Sequence, residues 1–141
     1  MRRFRAQRGD DEGSILPLTI GYAMIALVLV LVCADATSLY LTQKRLDALA
    51  DAAALAGADG YVLAPDGDRA VAHLTTDGVR QQAEALIADV GAEAVLVDAR
   101  TPDGTSARVQ VAGQWHPPVI TLFVPDGITL HAEATSRTAL E

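Results

Sequence analysis

One cysteine, Cys33, stands in the whole chain, so no intrachain disulfide is possible and whatever folds must be held by packing. One lysine, Lys44, is present, and no glycine-rich loop leads to it, which removes a P-loop phosphate site. The serines at 14, 38, 106 and 136 lack any nucleophile-elbow context. His73, His116 and His131 are scattered without metal-ligand spacing. Asp66-Gly67-Asp68 begins like a calcium loop but lacks the later ligands and the bidentate Glu. The expectation is a protein that is not an enzyme, with no catalytic residue, no metal and no cofactor, and with no small-molecule substrate evident. Basic patches are missing too. Residues 35–141 carry seven Lys or Arg against fifteen Asp or Glu, and an acidic surface of that kind excludes nucleic acid as a partner.

Two further absences define the main feature. No charge falls between Ser14 and Ala34, a run of 21 residues, against roughly 20 needed to cross a bilayer. No Gly or Pro falls between Tyr22 and Ala56. Pro17 sits in the expected first turn, where its missing N–H has no intrahelical partner anyway, with Ser14 as the N-cap. Beyond the span, Leu39, Thr42, Leu46, Leu49, Ala53 and Ala56 recur at spacings of three and four, which is a heptad seam. Span and seam are therefore expected to form one rod on the order of 65 Å long, ended by Gly57 and Gly60. Asp35 lies on the seam's line. It is either an acid reaching headgroup water or a partner for a neighbouring subunit. Thr42 is a small polar residue that bonds its own backbone. Asp51 is either a solvated residue or a contact between rods.

The run from Asp35 to Ala58 resembles the N-terminal segment of TadE/TadG-like Flp (tight-adherence) pilus assembly proteins. The resemblance rests on Gly13 before the span, Asp35 at its exit, Tyr40, the basic turn Arg45-Leu46, and Asp51 followed by Ala52 through Ala56. It covers about residues 12–58, under half of the chain. It implies a structural or assembly component, a minor pilin-like subunit of a Flp/Tad-type pilus or secretion system. Its partners are then other pilus or pilin-like subunits, the assembly machinery and the lipid bilayer. Asp35, Leu39, Leu46, Leu49, Asp51 and Ala53 are the expected helix-packing residues, and Gly13-Ser14 the processing point. Processed prepilins of this class usually carry Glu five residues after that Gly, where this chain has Leu18.

Four Arg precede the span, outweighing Lys44 and Arg45 beyond it, which puts the first residues inside and the acidic portion outside the cytoplasmic membrane. The alternative is a secreted soluble binding domain released by signal peptidase after Ala36, because Ala34-Asp35-Ala36 has the small-x-small form. The length of the apolar run favours a retained anchor.

The expected organisation is a cytoplasmic stub over 1–13, the rod over 14–57, and a small α+β domain over 58–141. Tyr61 to Leu63 reads as a short strand and Arg69 to Leu74 as a helical piece. Val79, Ala83, Leu86, Ile87 and Val90 form one stripe at helical spacing, so a helix is expected over 77–90, capped by Asp77 or Thr76 and closed by Gly91. After Gly91 the period becomes two. Residues 93–99 are expected to place Val95 and Val97 on one face and Ala94, Leu96 and Asp98 on the other. They form a hairpin with 106–113, where Ala107, Val109 and Val111 share a face. Residues 119–124, read as a strand or a buried helical turn, pair with 128–135, whose Ile128, Leu130, Ala132 and Ala134 face inward. Trp115 is read as a core anchor or a partner contact. The fold class is α+β: a pilin-like long helix, one further helix and an antiparallel sheet of three or four strands.

Overall fold

A computed structural model of the chain describes residues 12–66, 69–90, 93–121 and 124–138. Its elements run α1 (Glu12–Ala58), β1 (Tyr61–Asp66), β2 (Arg69–Leu74), α2 (Thr76–Val90), β3 (Ala94–Arg100), β4 (Ser106–Trp115) and β5 (Ile128–Arg137). The class is α+β, as expected. All but the last two residues of the stub fall outside the described residues, as do Gly67, Asp68 and Gly91.

The rod is a single helix of 47 residues, about 70 Å long. It begins at Glu12, two residues before the expected cap at Ser14, and Pro17 is accommodated inside it. It also runs past Gly57. That residue does not terminate the helix; it lets α2 approach. A Cβ built on Gly57 would meet Val79 Cγ1 at 2.9 Å and the Ala107 Cβ at 3.4 Å. The helix closes one turn later, where the N–H of Gly60 bonds the carbonyl of Gly57 at 3.2 Å.

β3, β4 and β5 form an antiparallel sheet in that order, and β1 and β2 form a separate two-stranded hairpin. One face of the three-stranded sheet packs against both helices, with α1 over β4 and β5 and α2 against β3. The core is built from Leu46, Ala50, Ala53, Ala54 and Ala58 of the rod, Val79, Ala83 and Ile87 of α2, and Ala99, Ala107, Val109, Val111, Ala132 and Ala134 of the sheet. Alanines dominate, so the helices sit close to the sheet and little space is left for larger side chains. The opposite sheet face is polar, with Arg108 Nε 3.3 Å from Glu133 Oε1.

Several expectations are corrected. Residues 69–74 are a strand, not a helical piece. Ala72 and Leu74 are buried while Val71 and His73 are exposed, a period of two, and each residue of the run pairs with β1. The cap of α2 is Thr75, whose Oγ1 accepts from the Gly78 N–H at 3.1 Å, neither Thr76 nor Asp77. Among the described residues the sheet has three strands, and 119–121 and Val124 belong to none of them. β5 pairs instead with β4 over its full length, Trp115 to Ile128 through Ser106 to Arg137. Pro117 and Pro118 supply no N–H for a ladder. Residues 118–121 make a turn and the Val124 N–H bonds the Ile120 carbonyl at 3.1 Å, which fits the helical-turn alternative better, while Leu122 and Phe123 lie outside the described residues.

In β3 the register shifts between Leu96 and Asp98. This bulge turns Asp98 onto the polar face opposite Gln110 and delivers Ala99 to the core opposite Val109. Asp98 therefore does not share a face with Ala94 and Leu96. In β5, Ala132 and Ala134 are buried and Leu130 is packed on the core, whereas Ile128 at the strand's start is exposed.

Candidate functional site

The surface with a role to assign is the rod outside its uncharged span, together with whatever covers it. Heptad spacing places Leu39, Thr42, Leu46, Leu49 and Ala53 on one line. The folded domain lies along that line from Ala58 back to Asp35. Leu46 and Ala53 are buried, Leu39, Thr42 and Leu49 half-buried, and Asp51 is exposed. Thr42 Oγ1 donates to the Ser38 carbonyl at 3.0 Å, the local backbone bond its type favours. Leu49 lines a cleft with Leu46, Val90, Ala94 and Gly113, and Arg45 and Glu93 flank it.

Polar contacts fasten the end of the domain nearest the span. Asp35 is buried, and its Oδ1 accepts from the Val119 N–H at 3.0 Å. Trp115, also buried, donates its Nε1–H to Ser38 Oγ at 3.2 Å. Gln43 Nε2 donates both to Asp47 Oδ1 at 2.9 Å and to the His131 carbonyl at 3.0 Å, joining rod to β5. The Gln43 amide and the Lys44 ammonium, 3.2 Å away, hold the Asp47 carboxyl below its ordinary range. Ser38, Gln43 and Val119 were not singled out from sequence. Their partners lie 77 to 88 residues away, and no local pattern marks them.

The other side of the rod is open. Tyr40, Leu41, Lys44, Ala48, Ala52 and Leu55 are exposed, and Lys44 Nζ stands 5.9 Å from the centre of the Tyr40 ring. Leu41, Ala48 and Leu55 are seven residues apart and form a second apolar line on this face. Gly13 and Ser14 lie in the first turn of α1, and Leu18 is exposed in the span. Among the described residues no three His, Cys, Asp or Glu side chains converge as a metal site would require.

The first helix is long and apolar enough to cross a membrane, with a mean hydropathy of 2.6 in its most apolar window. No curated protein and no solved structure matches the chain. The family model Tad, described as Flp pilus-assembly TadE/G-like, matches residues 13–60, which are the rod and the turn that closes it. The rod is therefore similar to the Tad family segment that its own residues resemble, and this match over about a third of the chain supports a role related to Flp pilus assembly in general.

Proposed function

We infer that this chain is a minor pilin-like subunit of a Flp/Tad-type pilus or secretion system. It acts without catalysis, by packing its rod against the rods of other subunits in the cytoplasmic membrane. The first residues lie inside and the acidic domain outside, as the Arg-rich start favours. The observation that carries this reading is the uncovered apolar line Leu41, Ala48 and Leu55. The chain's own domain uses the opposite seam, so this face is left for other helices, and it runs straight on from the span. Exposed leucine is costly in water, roughly 1.5–3 kcal/mol for each side chain that finds full burial. Small Ala48 and Ala52 permit close approach between the two leucines.

Release of a soluble domain by a cut after Ala36 fits the contacts less well. Such a cut removes Asp35 and with it the acceptor for the Val119 amide.

Site-directed crosslinking in cells that make the pilus tests the reading. Ala48→Cys in a Cys33→Ala background is expected to crosslink to other pilus components, and Ala48→Arg to abolish assembly while the domain stays folded. Full assembly by the Ala48→Arg chain would defeat the proposal.

A further inference from the structure

The turn at 118–121 lies where the membrane ends. Twenty-one uncharged residues at about 1.5 Å each fill the roughly 30 Å hydrocarbon core, which puts Asp35 at its edge. Headgroups extend only about 5–7 Å further on each side. Val119 donates its N–H to Asp35 Oδ1 at 3.0 Å, so its backbone lies within that layer. Next to it Ile120 is 41% exposed, a large apolar side chain at the depth of lipid headgroups. A second observation lies lower still. Leu31, one turn before Asp35 on the same helical face, is 37% exposed, whereas its neighbours Val30 and Val32 are 64% and 58% exposed. Leu31 is thus less exposed than its neighbours on the side of the helix where Asp35 holds this turn.

Charge points the same way. The chain beyond the span carries a net charge of −8, which anionic headgroups repel, yet no charged residue falls between Pro117 and Pro125. The hydroxyl of Thr121 is directed back to the Pro117 carbonyl and so is satisfied internally. Two backbone groups here are also engaged, the Val119 N–H by Asp35 and the Ile120 carbonyl by the Val124 N–H. An uncharged turn with several of its polar groups engaged and an exposed isoleucine suits the boundary between headgroups and acyl chains.

We propose that the turn at 118–121 is a second membrane contact, resting Ile120 on the lipid interface and fixing how the domain is tilted over the bilayer. The proposal rests on the membrane-span reading of α1, and the experiment separates the two. Three single-cysteine forms of the full chain are labelled with an environment-sensitive fluorophore in phosphatidylcholine vesicles at low protein density. Native Cys33 reports the span. Ile120→Cys and Val62→Cys, both in a Cys33→Ala background, report the turn and the hairpin beyond the rod's far end. The expected result is blue-shifted emission at 33 and 120, with the label at 120 quenched by lipid carrying a shallow nitroxide, and water-like, unquenched emission at 62. Lipid-like emission at 33 with water-like emission at 120 overturns the proposal and leaves the span reading intact. Water-like emission at both overturns both. A blue shift at 120 that shallow nitroxide lipid does not quench, and that grows with protein density, assigns the turn to contact between copies and also overturns the proposal.

Discussion

The Asp35 carboxylate accepts the Val119 amide at 3.0 Å, joining the last turn of the span to a turn 84 residues later in the chain. It does for this turn what a capping side chain does for a helix: it satisfies an amide that proline-bound neighbours leave without a ladder partner.

Replacing Asp35 by Ala leaves the Val119 N–H without its acceptor in a partly buried place, a loss of about 1 kcal/mol. Asp35→Asn keeps an acceptor oxygen and is expected to lose less. Limited proteolysis of the full chain in detergent provides the readout. Cleavage near 118–121 is expected to quicken in the order wild type, Asn, Ala, while cleavage within β4 stays slow.

Gly57 faces Val79 too closely for a methyl group, with 2.9 Å to Cγ1. Gly57→Ala gains helix propensity of about 1 kcal/mol but overpacks the α1–α2 contact by about 1–3 kcal/mol. The net is expected to be destabilising, and Val79→Ala is expected to rescue it in part. A double-mutant cycle in chemical denaturation measures the coupling. Strictly additive effects would show that the two residues do not press on each other.

Leu46 is the one leucine of the seam that is fully in the core. Leu46→Ala is expected to cost about 2–5 kcal/mol. Leu39→Ala, at a half-buried position, is expected to cost clearly less. Equal losses in thermal melts would mean that the domain covers both ends of the seam equally well.

Asp103 accepts the N–H of Thr105 at 2.9 Å, the hydroxyl of Ser106 at 2.8 Å and the N–H of Ser106 at 2.6 Å. These bonds, the Thr105 amide foremost, hold its carboxyl well below the usual carboxylate range. The folded value lies below the unfolded one. The stabilisation is therefore fully present above about pH 4 and fades as pH falls toward the folded value. Asp103→Asn is expected to melt below the wild type at neutral pH, and the difference is expected to shrink steadily below pH 4. A gap that stays constant down the acid limb would remove the charged carboxylate as its cause.

The sequence by itself determined the rod. An uncharged run long enough for a bilayer, followed by apolar residues every three and four, is a local pattern, and α-helix is the local structure that satisfies it. It also determined which side of β4 faces inward, since Ala107, Val109 and Val111 alternate with polar residues, and its stripe marked a helix over 77–90 where the structure has one over 76–90. Tertiary structure decided what each face meets. The seam could have been covered by a neighbour or by the chain's own domain, because periodicity shows which residues share a face but not what covers it. β5 pairs with β4 and not with the nearer 119–121, which the chain folds into a turn after the prolines at 117 and 118. The Val119 N–H in that turn goes to Asp35. The bulge that sends Asp98 outward and Ala99 into the core arises from fitting β3 to its neighbours, a fit no window of β3 alone contains.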